Sequence, residues 1–385
     1  MPFKYTFDSV YVAKLILMIN TPHDYLILNI YNFQTLLLIM NYKFLKVKGK
    51  KMQLPAFFPD ATYGNVIGVN SKELYKIKAQ GVVVNIYHLL RKNLINKIGK
   101  IGIHAYINFF KPIISDSGGF QVMSLIHDNP KLGKIEENKI IFNLDSKKII
   151  LTPEKSIQLQ FRIKSDIIMC LDDCTRADAG LNAQKKSVER TIRWAGRCKK
   201  EFVKLTKNME EKPLLFAIIQ GGENKKLRKY CAEELLKIGF DGYAFGGFPV
   251  KNGKLLKGIL EYTSKLIPNG FLKYAMGVGK PQDILECYKL GYNMFDCVIP
   301  TRDARHKRLY AFTNNKLGFK TIYIRGRHSN DKNPISKFCD CPTCKNHSLK
   351  DVYWAFRENR EKANNLATIH NLRFYSMLME KLRGK

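Results

Sequence analysis

Seven short apolar runs recur from about residue 80: "GVVVNIY", "PIISDSGG", "SDIIMCLDD", "LLFAIIQGG", "GYAFGGF", "KYAMGVG" and "MFDCVIP". Unbroken Val/Ile-rich runs of this length suit strands buried on both faces, as in a parallel sheet. Amphipathic helical patterns lie between them. "TPEKSIQLQFRI" offers Thr152 as N-cap and Pro153 at the first helical position, and "AQKKSVERTIRWAGRCKKEFVKL" reads as one long helix. Alternating strand and helix predicts an α/β fold. With seven strands legible and an ambiguous eighth near 308–325, the expectation is a (β/α)8 barrel.

The polar residues sharpen that expectation. Asn85, Asp116, Asp172, Gln220, the Gly246-Gly247 pair and Asp296 each stand at or near the C-terminal end of a run. Any one of them is an ordinary turn or cap residue. Together, on a barrel, they meet on the face where active sites are built. The result is a pocket with three carboxylates, amide side chains and bare backbone. A carboxylate inside an apolar run, as Asp296 is in "FDCVIPTRDAR", is costly unless paired or used in chemistry.

The glycines limit what the pocket holds. "SDSGGF", "QGG" and "FGGF" are not phosphate-cradling loops, so no nucleotide cofactor is expected. Paired glycines let a flat ligand lie against backbone, with Phe120 and Met276 as apolar faces and Asp172, Gln220 and backbone N–H groups reading a base edge. Charge points the same way: 65 Lys and Arg against 33 Asp and Glu, net +32, favours a polyanionic partner such as nucleic acid.

Of nine cysteines, six are scattered and three crowd into "CDCPTC". That distribution suits a reducing, cytoplasmic compartment with one metal site. Cys339, Cys341 and Cys344 with His370 give a Cys3His set, the closed tetrahedral shell of a structural zinc. His347 competes for the fourth position. His370 is preferred because it would tie the helical "IHNLRFYSMLMEKL" to the loop. Ser348 is a candidate cap for the helix that follows.

Residues 1–39 are expected to be an accessory or spurious leader, since Met40 opens "MNYKFLKVKGKK" like a natural start. The apolar stretch "YLILNIYNFQTLLLIM" is too short and too polar to span a membrane, and a basic start with a small-residue cleavage site is missing.

"DSGGFQV", "AIIQGG", "GFDGYAFGG", "YAMGVGKPQD", "MFDCVIPTRDAR", the Cys3His element and "TIHNLRFY" together resemble the tRNA-guanine transglycosylases of the bacterial queuine tRNA-ribosyltransferase type, from about Met40 to the C-terminus. The resemblance implies a TIM barrel over 40–385 with an inserted zinc subdomain at about 325–375, one structural zinc per subunit, and a homodimer. The implied reaction exchanges guanine at the wobble position of GUN-anticodon tRNA for a 7-deazaguanine base. By motif position, Asp296 matches the nucleophile and Asp116 the general acid/base. Asp172, Gln220, Gly246 and Gly247 match the base-reading residues, with Asn85 beside them. Phe120 and Met276 match the walls of the slot, and Arg302 and Arg305 the segment that approaches the tRNA backbone. Retention of configuration at the sugar calls for double displacement through a covalent intermediate.

Three stretches depart from the family pattern. His306-Lys307 stands where Asn-Gly is usual, "GGFPV" replaces "GGLAV", and "LDDC" replaces "FDEC". Val250 and Cys174 keep the bacterial residues, which leans toward 7-aminomethyl-7-deazaguanine over queuine. The alternatives are a DNA-directed deazaguanine transglycosylase, an archaeosine-type enzyme with further C-terminal RNA-binding domains, and a non-catalytic paralogue that docks tRNA. Retention of Asp116 and Asp296 speaks against the last.

Overall fold

The computed structural model describes residues 44–144, 147–176 and 178–384. The proposed leader, 1–39, lies outside the described residues.

Eight strands form one parallel sheet: β1 (Ala56–Pro59), β2 (Val82–Asn85), β3 (Ile113–Asp116), β4 (Ile167–Met169), β5 (Leu214–Ile219), β6 (Gly242–Phe245), β7 (Leu272–Ala275) and β8 (Met294–Cys297). Their order is β1-β8-β7-β6-β5-β4-β3-β2. A parallel bridge between Asp60 and Val83, with the Ala61 amide donating to the Val83 carbonyl at 2.7 Å, brings β2 back to β1 and closes the barrel. All seven runs read from the sequence are strands. The eighth is not at 308–325: that stretch is an antiparallel hairpin, Arg308–Phe312 with Phe319–Tyr323, outside the barrel. The missing strand is "AFFP", four residues that follow Pro55 and end on Pro59.

The pleat sorts side chains by parity. Val82, Val84, Ile113, Ile168, Leu215, Ala217, Ile219 and Tyr243 belong to the main apolar core that includes Trp194 and Phe202 of the helix Leu181–Thr206. The alternate positions, Phe58, Val83, Ile114, Phe216, Ile218 and Met294, are the barrel's interior. They are buried, and Phe216 fills the space that Gly242 leaves, where a Cβ would come within 2.5 Å of its ring. Thr152 caps Pro153–Arg162 as expected, its hydroxyl accepting from the Lys155 amide at 3.1 Å.

After β8 come the helix Ile299–Arg305, the hairpin, the short helix Pro342–Asn346, the helix Leu349–Glu358 and the C-terminal helix Arg360–Leu382. Ser348 caps Leu349–Glu358 in a capping box with Asp351. Ala304, Leu309, Ile322, Ile335, Val352, Phe356, Ala363 and Ala367 form a second core among these elements. The C-terminal helix also reaches the barrel: the Tyr375 ring lies 4.6 Å from that of Phe57, and its hydroxyl donates to the Gly279 carbonyl at 2.6 Å.

Candidate active site

Inward parity carries straight into the rim. Asn85, Asp116, Gln220, Gly246, Met276 and Asp296 all continue the interior rows of their strands, so the barrel itself aims them at one point. A cavity of about 230 Å³ opens there, lined by residues that include Asp116, Phe120, Asp172, Gln220, Gly246, Gly247, Met276 and Asp296. Of the residues expected there from the sequence, all line it except Asn85. Asn85 sits behind it. It pairs in register with Asp116, gives its Nδ2 to Asp116 Oδ2 at 2.6 Å, and caps the helix Ile86–Arg91 through its oxygen.

The three carboxylates are far from ordinary. Burial, then the neighbouring Asp296 charge, pushes the Asp116 carboxyl up to about 6, against hydrogen bonds from the amides of Ser117 and Gly118 and from Gln121. Burial also raises Asp172 to about 7, although Gln220 Nε2 donates to its Oδ2 at 2.6 Å. Asp296 is raised by burial as well. The Gly277 amide donates to its Oδ1 at 3.0 Å and the Tyr274 hydroxyl opposes the shift. Groups poised between neutral and charged near pH 7 can move protons, and an anion held by only two donors can act as a nucleophile.

The slot is flat because of glycine. A Cβ on Gly246 would lie 2.7 Å from Gln220 Nε2 and 2.6 Å from Ile218. Phe120 and Phe248 meet edge to face across the mouth, centroids 5.6 Å apart. Behind the "DSGG" turn, Gly118 takes φ +80 with the Tyr87 amide 2.6 Å from where a Cβ would be. That turn starts the helix Gly119–Asp128, which carries Phe120 and Gln121.

Sequence reasoning missed Arg228. Its guanidinium is buried beneath the rim and donates to the carbonyls of Gly222 (2.9 Å), Ile219 (2.7 Å) and Gly246 (2.9 Å), stacked over the Phe245 ring at 4.0 Å. Burial lowers it to about 10. It pins the backbone turns of β5 and β6 on which Gln220 and Gly246 sit. The signal was there: Arg228, Cys231, Ala232 and Leu235 form the buried stripe of the helix Lys225–Ile238, and a cation on an apolar stripe needs a reason.

Arg302 is exposed and Arg305 is half buried, its backbone carbonyl accepting from Arg360 at 2.6 Å. The expected metal cluster assembles. The ligand atoms of Cys339, Cys341, Cys344 and His370 lie within 4.8 Å of one another. His370 turns Nδ1 to the sulfurs of Cys344 (3.2 Å) and Cys341 (3.7 Å), and Nε2 to the Tyr310 carbonyl at 2.7 Å. An imidazole locked by a carbonyl on its far nitrogen is the usual support of a metal ligand. His347 is not part of the cluster.

Comparison with known proteins agrees with this geometry. The family model described as queuine tRNA-ribosyltransferase matches residues 43–385. Curated proteins named queuine tRNA-ribosyltransferase are similar over 86% of this chain and 86% of their own: one from Blochmanniella floridana at 43% identity over 339 residues, one from Shewanella sediminis at 42% over 340, and one from Psychrobacter at 40% over 340. The chain therefore belongs to the queuine tRNA-ribosyltransferase family of pentosyltransferases.

Proposed function

We propose that this enzyme exchanges guanine at the wobble position of GUN-anticodon tRNAs for a 7-deazaguanine base, by double displacement through a covalent enzyme–tRNA intermediate. The observation that carries the reading is the convergence of Asp296 and Asp116 on a flat slot whose far edge is Asp172, Gln220 and Gly246. An Asp296 carboxylate oxygen attacks C1′ of the target nucleotide. The C1′–N9 bond breaks and its electron pair leaves with the purine, which takes a proton from Asp116. The incoming base returns a proton to Asp116, and its nitrogen displaces Asp296 from C1′. Asp172, ionised, accepts from the base's N–H groups, while Gln220 and the Gly246-Gly247 backbone meet its carbonyl edge. Phe120 and Met276 sandwich the ring. Arg302, exposed on the helix after Asp296, serves the phosphates of the tRNA, while Arg305 is half buried on the same segment with its charge toward Asp60.

The Cys3His set suits zinc: three soft sulfurs and one imidazole at tetrahedral number leave no position for substrate, so the ion's chemistry here is to hold the fold. Homodimerisation and a cytoplasmic location belong to the same reading, supported by family membership. The incoming base is 7-aminomethyl-7-deazaguanine or queuine.

The test is incorporation of labelled guanine into unmodified GUN-anticodon tRNA, with each deazaguanine as competitor. Asp296→Asn should lower exchange by about 10⁴-fold or more, as loss of a covalent nucleophile does, while tRNA binding persists. Near wild-type exchange by that variant rules out the nucleophile assignment. Exchange into DNA but not tRNA moves the reading to the DNA-directed alternative.

A further inference from the structure

The slot uses only part of the rim. Its lining comes from β3 through β8 and the loops that follow them; β1 and β2 contribute nothing to it. A nucleotide with its base in the slot and C1′ at Asp296 must lay its sugar over the unused sector, and the acidic residue there is Asp60.

Register fixes where Asp60 stands. Phe58 pairs with Asp296 and Pro59 with Cys297, so Asp60 is the next residue up β1 from that pair. It bridges to Val83 on the other side. Two residues beyond Phe58, it keeps the inward parity shared by Phe58 and Asp296. The Thr62 hydroxyl donates to its Oδ1. Burial raises the carboxyl, and the Thr62 hydroxyl and amide, then the Arg305 charge, oppose that rise. Arg305 Nη1 is itself buried without a hydrogen-bond partner among the described residues. A carboxylate offers about four acceptor positions, and the Thr62 hydroxyl and amide fill two of them, so Asp60 has capacity left.

We propose that Asp60 accepts a hydrogen bond from the 2′-hydroxyl of the target ribose and so makes this enzyme select RNA over DNA. The inference rests on the exchange reaction proposed above. Within a polynucleotide O3′ and O5′ are esterified, which leaves the 2′-hydroxyl as the sugar's one donor. A phosphate in that place would be repelled. Deoxyribose would leave one acceptor position of a desolvated carboxylate unfilled, and such loss is how a site built around a hydroxyl rejects its deoxy analogue.

The experiment compares kcat/KM for guanine exchange by the full-length enzyme on a GUN-anticodon stem-loop RNA and on the same RNA with one 2′-deoxyguanosine at the target. Wild type should favour the ribonucleotide by roughly a hundredfold, the worth of a hydrogen bond to a charged group. Asp60→Ala should collapse that ratio to within about threefold by losing far more rate on the ribonucleotide than on the deoxyribonucleotide, and Asp60→Asn, which keeps an acceptor, should recover part of it. A merely structural role would lower both substrates together and leave the ratio unchanged, which overturns the proposal. So does a wild type that exchanges both substrates equally. Failure of wild type on both RNAs sinks the exchange reading itself, a different result from an unchanged ratio.

Discussion

The barrel rim and the Cys3His unit are both buried polar clusters, and they are built on opposite principles. At the rim, Asp116, Asp172 and Asp296 share one cavity, each pushed toward its neutral form by burial. At the metal cluster, three sulfurs and a nitrogen converge, and the remaining nitrogen of His370 is spent on the Tyr310 carbonyl. One cluster keeps its demand open for a substrate; the other presents a complete ligand shell to an ion. A cluster that costs stability needs a neighbour that supplies it, and the two here share a helix. His370 faces the cysteines, while adjacent Asn371 donates to the Pro300 and Arg308 carbonyls at 3.0 Å and accepts from the Tyr310 amide at 3.2 Å. Pro300 lies four residues after Asp296. Tyr375, on the same helix, holds the Gly279 carbonyl two residues beyond the Gly277 amide that serves Asp296.

If the metal unit is the stabilising partner, its loss should be the larger structural insult. Cys341→Ser should release the bound metal and cost about 5 kcal/mol or more, with a melting temperature lower by over about 10 °C. Elemental analysis with a thermal melt reads both. Full metal content with an unchanged melt breaks the comparison at its root. The next effect tests the link. Asn371→Ala removes three hydrogen bonds from one buried site and should cost about 2–4 kcal/mol. It should also lower kcat more than KM, because the segment after Asp296 loses its anchor. Equal loss in a melt with unchanged kcat would mean the helix stabilises without positioning.

Legibility divided along the same line. Residues whose role is local were readable. The seven apolar runs, the Thr152 and Ser348 caps, and the one- and two-residue spacing of "CDCPTC" each carry their physics in a few neighbouring letters. Asp116, Gln220 and Asp296 were readable because a polar residue ending an apolar run is anomalous where it stands. What could not be read depends on closure. "AFFP" is too short and too proline-bounded to announce a strand, and only the bridge from Asp60 to Val83 reveals it as the one that completes the barrel. The 308–325 run has the composition of a strand, and in fact makes two, paired to each other instead of to the sheet. Arg228 is a helix residue whose partners are carbonyls 6, 9 and 18 positions away in the chain.

The carboxylates give the comparison a pH axis. Asp172 has its folded value raised to about 7 from an ordinary 3.8. An acid with a raised value binds more protons folded than unfolded, so its contribution to stability is present below about 4 and lost as pH rises toward 7. Asp172→Asn should therefore melt higher than wild type at pH 8, with the difference shrinking toward pH 5. In the proposed exchange the same carboxylate accepts from the base only when ionised. Base affinity in the wild type should fall by up to about tenfold per unit as pH drops below about 7, and the variant should bind weakly at every pH. A variant that melts lower at pH 8 would show that Asp172 stabilises the rim instead of taxing it.

The smallest expected effect concerns the exposed side of the same segment. Arg302 and Arg305 are three residues apart on the helix that follows Asp296, yet only Arg302 is open to solvent; Arg305 is half buried and its charge faces Asp60. A guanidinium that meets only phosphate contributes to affinity by releasing counterions, with no preference for sequence. Arg302→Ala should weaken tRNA binding about tenfold, and should reduce the slope of log affinity against log salt by about one. Arg305→Ala should instead act on turnover, because removing its charge changes the surroundings of Asp60 and, through Asp60, of Asp296. Binding titrations across salt concentrations separate the two. Equal salt slopes for both variants would mean that both arginines reach the tRNA backbone and that the half-buried one reorients when RNA arrives.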